Sequence, residues 1–202
     1  MFYETATNAH GLPHDPFKAI VAPRPIGWIS AVDAKGAVNL APYSFFNAFS
    51  SRPPIVGFAS EGQKDSVAFI AETREFVCNL VTYELRDAMN ATSAPLPRGE
   101  SEFIHAGLEE APSRLVKAPR VKASPVALEC KLVDIIELKD SDGHPISSFL
   151  VMGHVVGVHI DEAYIKNGRF DLVAAGTIAR CGYSDYTAAD DLFSITRPKG
   201  GE

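Results

Sequence analysis

The sequence predicts a mainly β protein, an antiparallel barrel carrying a few short helices. Three observations lead there. Short apolar runs alternate with polar residues and are separated by turn-forming clusters. Only a few brief stretches keep helical spacing, and residues 126–160 carry a long hairpin pattern. Many antiparallel strands with few helices favour closure into a barrel, which removes exposed sheet edges. At 202 residues and 46% hydrophobic content the chain can fill a core without disulfide support. No repeat period or long linker divides it, so one domain over residues 1–202 is expected.

Residues 1–15 are polar and read as an entry arm. Ile26 to Val32 is a strand with Ile26, Trp28, Ser30 and Val32 on one face and Gly27, Ile29 and Ala31 on the other. Asp33-Ala34-Lys35-Gly36 supplies a turn, returning the chain from Val38 as the partner strand. Ser44–Phe49 and Ile55–Ser60 are two further strands, split by Arg52-Pro53-Pro54. Asp65 or Ser66 is the expected cap of a helix whose Val67, Ile70 and Ala71 share a face. Glu75–Val81 follows as a strand, and Leu85, Ala88 and Met89 mark a second helix. Residues 92–124, rich in Pro, Ser, Gly and charge, form a long excursion with one helical turn near Ser101–Ile104.

The hairpin closes the pattern. Leu128, Cys130, Leu132, Ile136 and Leu138 alternate with Glu129, Lys131, Glu137 and Lys139, and Asp142-Gly143 is its turn. Asp134 interrupts the apolar face and points to a buried hydrogen bond or a subunit contact. Phe149–Ile160 is apolar on both faces, which suits a strand lying between a barrel interior and a helix or second subunit.

Charge and cysteine content narrow the function. With 25 acidic against 19 basic residues and no Lys/Arg block, broad contact with nucleic acid or an anionic membrane is disfavoured. No apolar stretch approaches the roughly 20 residues that span a bilayer, and the first residues lack signal-peptide regions. Cys78, Cys130 and Cys181 make neither a metal-ligand spacing nor an even disulfide framework. The expected location is the cytoplasm. Glycine-rich dinucleotide and P-loop motifs, the GxSxG elbow and the HExxH helix are all missing.

What remains is an ordered cluster in the first third. It reads Ala22-Pro23-Arg24-Pro25-Ile26-Gly27-Trp28-Ile29-Ser30, then Asn39-Leu40-Ala41-Pro42-Tyr43-Ser44-Phe45-Phe46-Asn47, then Gln63-Lys64-Asp65-Ser66. With Gly153-His154-Val155-Val156 and Arg180-Cys181-Gly182-Tyr183, this resembles the flavin reductase-like FMN-binding split-barrel family, near its flavoredoxin-type branch, from about Pro16 to Tyr186. The resemblance implies a six-stranded Greek-key barrel, a homodimer, and FMN in a groove near the subunit boundary.

The residue types suit that ligand. FMN needs a flat apolar wall, polar partners for its ring edge and ribityl chain, and a positive seat for its phosphate. Trp28 is the candidate wall. Ser30, Ser44 and Asn47 are candidate hydrogen-bonding groups, with backbone amides around Phe45 and Phe46. Lys64 precedes a helix start, where free N–H groups and the dipole favour an anion, and Ser66 adds a hydroxyl. Asp65 would repel phosphate, so it caps the helix or holds Lys64. The resemblance brings Arg24 to the phosphate or to the partner subunit. His154 reads as a packed core histidine, His159 as a strand-end surface residue, and Cys78 as a small core residue without a group to activate it.

The implied reaction is hydride transfer from NADH or NADPH to FMN, with free flavin, oxygen, a monooxygenase or another redox protein as acceptor. Ring stacking and hydrogen bonding suffice for it, and no catalytic acid or base is expected. The alternative is a non-enzymatic FMN electron carrier of flavoredoxin type.

Overall fold

The computed structural model describes residues 1–97 and 100–198. Elements follow in the order α1 (Phe17–Ile20), β1 (Arg24–Pro25), β2 (Gly27–Val32), β3 (Val38–Tyr43), β4 (Phe46–Ser51), β5 (Pro54–Glu61), α2 (Asp65–Thr73), β6 (Glu75–Asn79), α3 (Arg86–Ala91) and α4 (Glu102–His105). Short strands β7 (Glu110–Ala111) and β8 (Arg120–Val121) precede the long pair β9 (Val126–Lys139) and β10 (Pro145–Ile160). The chain ends through β11 (Ile165–Lys166), β12 (Arg169–Phe170), β13 (Ile178–Gly182) and β14 (Asp185–Ala188).

Seven strands, rather than six, form the main antiparallel sheet in the order β3-β2-β6-β9-β10-β5-β4. It wraps around a core in which Ile29, Ala31, Tyr43 and Phe76 from one half meet Phe58 and Val151 from the other. Helix α2 adds Val67, Phe69 and Ile70 to that core. A second sheet, β1-β13-β14, pairs Arg24 with Arg180 and so brings the two ends of the fold together. Gly153 on β10 has no room for a side chain, because an added Cβ would lie 2.4 Å from Cζ of Phe76.

Every residue of β2 is buried, since both of its faces are covered. The face bearing Ile26 and Trp28 looks away from the barrel interior, into an outer layer with Leu40, Met89, Phe103, Val121 and Ile178. The described part of the 92–124 excursion supplies much of that layer, through Phe103, Val116, Ala118 and Val121; positions 98 and 99 lie outside the described residues. The excursion therefore packs chiefly on the outer wall of the barrel. Its anchor is Glu129, which accepts hydrogen bonds from the backbone N–H groups of Arg114 at 2.8 Å, Leu115 at 2.6 Å and Val116 at 3.2 Å.

Glu129, on the polar side of its strand's alternation, is fully buried, because those amides and a close contact to His159 Nε2 satisfy its carboxylate. Three local expectations are corrected. His159 is thus the partner of a buried acid and not a free surface residue. Asp134 is exposed, with Oδ1 accepting from the Ile135 N–H at 2.8 Å, so no buried bond explains it. Helix α2 is capped at Lys64 without a side-chain hydrogen bond; Asp65 is its first residue, and the buried face holds Ser66, Val67, Phe69 and Ile70 while Ala71 is exposed. Cys78 is a core residue as expected, and burial beside Cys130 pushes its thiol well up.

Candidate functional site

A cavity of about 320 Å³ opens where the second sheet meets the end of β3, the end of β5, the entrance to α2 and helix α3. Strand β3 ends at Tyr43, and the turn to β4 presents Ser44 and Phe45 to the cavity. Phe45 keeps 40% of its surface exposed. Two cations flank its ring, Lys18 Nζ at 5.9 Å and the Arg24 guanidinium at 5.5 Å from the centroid. Among the described residues, Lys64 and Arg180 complete a four-cation lining, against which Glu61 is the single carboxylate, at 3.8 Å from Lys18. Positive potential prevails here although the whole chain is acidic.

The two arginines are positioned by local structure. Arg24 is buried; Nη1 donates to the carbonyls of Lys18 and Val21 at the end of α1, while Nε is buried without a partner. Arg180 lies over the Tyr186 ring at 4.5 Å and donates to the Tyr186 hydroxyl and the Tyr183 carbonyl. Both guanidinium groups thus touch neutral oxygens, which fixes them in place without cancelling their charge. Gly182 allows α1 to close against β13: an added Cβ would sit 2.7 Å from Cα of Ala19.

Lys64 also lines an adjoining chamber of about 470 Å³ with Asn39, Asp65, Ser66, Thr92 and Glu102. Asn39 Nδ2 donates to Ser66 Oγ at 2.7 Å. Burial raises the pKa of Glu102, whose carboxylate accepts from the Leu40 N–H at 2.9 Å. Burial likewise raises that of the Tyr43 hydroxyl, close to Ser66 and Ser60. Because Pro42, Tyr43, Lys64 and Ser93 line both spaces, the cavity and chamber adjoin, and together they are termed the cleft.

Of the residues singled out from sequence, Arg24, Ser44, Phe45 and Lys64 meet in the main cavity, and Asp65 and Ser66 sit in the chamber. Four do not join them. Trp28 is fully buried, with Nε1 donating to Thr92 Oγ1 at 2.9 Å, so it packs the outer layer and is no wall of the cleft. Ser30 is also fully buried, donating to the Pro119 carbonyl and accepting from Asn79 Nδ2 at 3.3 Å. Phe46 packs over Gly27, whose added Cβ would meet its ring at 2.6 Å. Asn47 lies exposed on β4, with Oδ1 turned back to the Ala48 N–H at 2.8 Å.

Sequence reasoning missed Lys18, Asn90, Arg180, Tyr183 and Tyr186. The signal for three of them was present: Arg180 and Tyr183 bound the motif near the end of the chain, and Tyr186 closes the region of resemblance.

The described fold and its cationic, aromatic cleft define a split-barrel flavoprotein architecture. The flavin reductase like domain matches residues 21–173, and the chain belongs to that family. An uncharacterised protein of Halalkalibacterium halodurans is 35% identical over 184 residues, covering 88% of this chain and 87% of that one. Among solved structures, nitrilotriacetate monooxygenase component B from Bacillus cereus is similar with a TM-score of 0.88 and 27% identity, covering 96% of this chain and 98% of the other. The 2-nitrobenzoate 2-nitroreductase NbaA of Pseudomonas fluorescens is similar with a TM-score of 0.84 and 26% identity, covering 98% and 96%.

Proposed function

We propose that this protein binds FMN in the cleft and catalyses its reduction by NADH or NADPH. One observation carries the reading: four cations and a half-exposed aromatic ring converge on one cavity in a flavin reductase-like chain. The residues present suit the ligand. Phe45 offers a flat surface, Ser44 a hydroxyl, and Lys64 a positive charge at the entrance of α2. The unpartnered Nε of Arg24 is a buried donor in need of an acceptor.

When bound, FMN supplies a ring that accepts a hydride and later releases the electrons. The chain's own work is binding and orientation. Arg24 and Arg180 hold fixed positive charge without rearrangement, which favours an anionic ligand and costs no reorganisation on binding. Lys64 and the free N–H groups at the start of α2 are the proposed phosphate partners, with Ser66 turned inward and already bonded to Asn39. Tyr43 and Met89 add buried walls that keep water from the floor of the cavity. No side chain is required to move a proton.

The similarity to a monooxygenase component supports delivery of reduced flavin to an oxygenase. Exposed Val133, Ile136, Val158 and Ile160 on β9 and β10 support pairing of two copies of a single 202-residue domain. No helix among the described residues is long and apolar enough to cross a membrane. The test is the anaerobic visible spectrum of the protein with one equivalent of FMN. Bleaching on addition of NADH or NADPH is expected; a bound flavin that stays oxidised with both overturns the reductase assignment and favours an electron carrier.

A further inference from the structure

We propose that the groove beside the cleft, between α3 and β14, seats the ADP half of the nicotinamide dinucleotide, with adenine on a Tyr83–Arg86 platform and the diphosphate at Arg180. The inference rests on the reductase reading and specifies where its second ligand binds. The groove encloses about 510 Å³, within the usual range for small-ligand sites. It adjoins the cleft, with Met89, Asn90, Arg180 and Tyr186 lining both. A dinucleotide whose nicotinamide enters the cleft must place its other half nearby, and this adjoining groove provides the space.

Its chemistry fits that half. Tyr83 is 56% exposed, and the Arg86 guanidinium lies over its ring at 4.1 Å. Arg86 is held there by Nη1, which donates to the Tyr83 carbonyl at 2.6 Å. A tyrosine covered by an immobilised guanidinium is a ready stacking surface for a base. The platform has a firm base too: the Tyr83 N–H donates to the Gly176 carbonyl at 2.7 Å, and Thr82 bridges to Thr177.

The charges sort the two arginines into different roles. Asp87 lies 3.5 Å from Arg86 Nη2, so the charge of Arg86 is partly offset and its plane is what remains on offer. Arg180 forms no ion pair among the described residues, and its partners are a phenol and a carbonyl. Standing at the junction of groove and cleft, it is the uncompensated cation that a bridging diphosphate requires. The exposed plane and the free charge both line this one groove, so a ligand that carries a base and a diphosphate meets a partner for each.

The test is calorimetric binding of ADP-ribose, which carries the adenine and diphosphate but no nicotinamide, to wild-type protein and to Tyr83→Ala. Tyr83 bonds through its backbone, and its side chain is exposed, so the substitution spares the fold. Wild type is expected to bind ADP-ribose and Tyr83→Ala to bind it about tenfold more weakly, through the lost stacking surface. Arg86→Ala is expected to weaken ADP-ribose similarly, and both variants are expected to retain FMN as wild type does. Equal ADP-ribose affinity in wild type and Tyr83→Ala, or no ADP-ribose binding by a wild-type protein that binds FMN, overturns the proposal. FMN titration of the same preparation keeps the two readings apart, because loss of FMN binding alone would strike the flavin assignment.

Discussion

Replacing Lys64 by alanine separates phosphate recognition from ring recognition. Lys64 is the cap residue of α2, is exposed, and lines both halves of the cleft. A hydrogen bond to a charged group contributes about 1.5–3 kcal/mol. Solvent screening at this exposed position brings the expected contribution to about 1–2 kcal/mol. The N–H groups of α2 stay in place and keep part of the phosphate interaction. At 1.4 kcal/mol for each factor of ten, Lys64→Ala should weaken FMN about 5- to 30-fold. Riboflavin has the same ring and ribityl chain without the phosphate, so its affinity should hold within about twofold. Titration calorimetry of flavin-free protein with each ligand reads both numbers. Raising the salt should shrink the wild-type preference for FMN toward that of the variant. An equal loss for both ligands, or none for FMN, would refute a phosphate contact at Lys64.

Two further outcomes test the fold around the site. Trp28→Phe should cost about 1–2 kcal/mol in urea denaturation, through the lost bond to Thr92 and reduced packing, yet leave FMN affinity unchanged; a large loss of FMN affinity would return Trp28 to the cleft. Glu129→Gln should cost about 2–4 kcal/mol at neutral pH, because an amide N–H₂ would face backbone donors or displace His159. Burial works to raise the Glu129 carboxyl, but the bonds from His159, Arg114 and Leu115 prevail and hold it below its ordinary value. Its stabilisation is therefore present above the unfolded value of about 4.3 and lost as pH falls through the lower folded one. The gap between wild type and variant should narrow below about pH 4, and a gap independent of pH down to acid unfolding would contradict an ionised Glu129.

Local rules made much of this molecule legible from its chain. The alternation from Ile26 to Val32, the Asp33–Gly36 turn and the Asp142-Gly143 hairpin all depend on neighbours in sequence, and each lies where pattern and turn chemistry place it. Lys64 at a helix entrance was readable for the same reason, whereas Ser44 and Phe45 read as the start of a strand and lie instead in the turn that precedes it. Which face of a strand meets the cleft is not a local property. Trp28 and Ser30 share the side of β2 that the excursion covers, and only the packing of Phe103 and Val121 against it decides that this side is core. Nor does the alternation of its strand show that Glu129 is buried, because the three amides that close over it come from residues 114–116. Arg180 joins Arg24 through a strand pairing across most of the chain. Period and turn chemistry are encoded within a few residues, whereas burial and the convergence of charge depend on which distant segments share a surface, and that is settled only when the whole chain has packed.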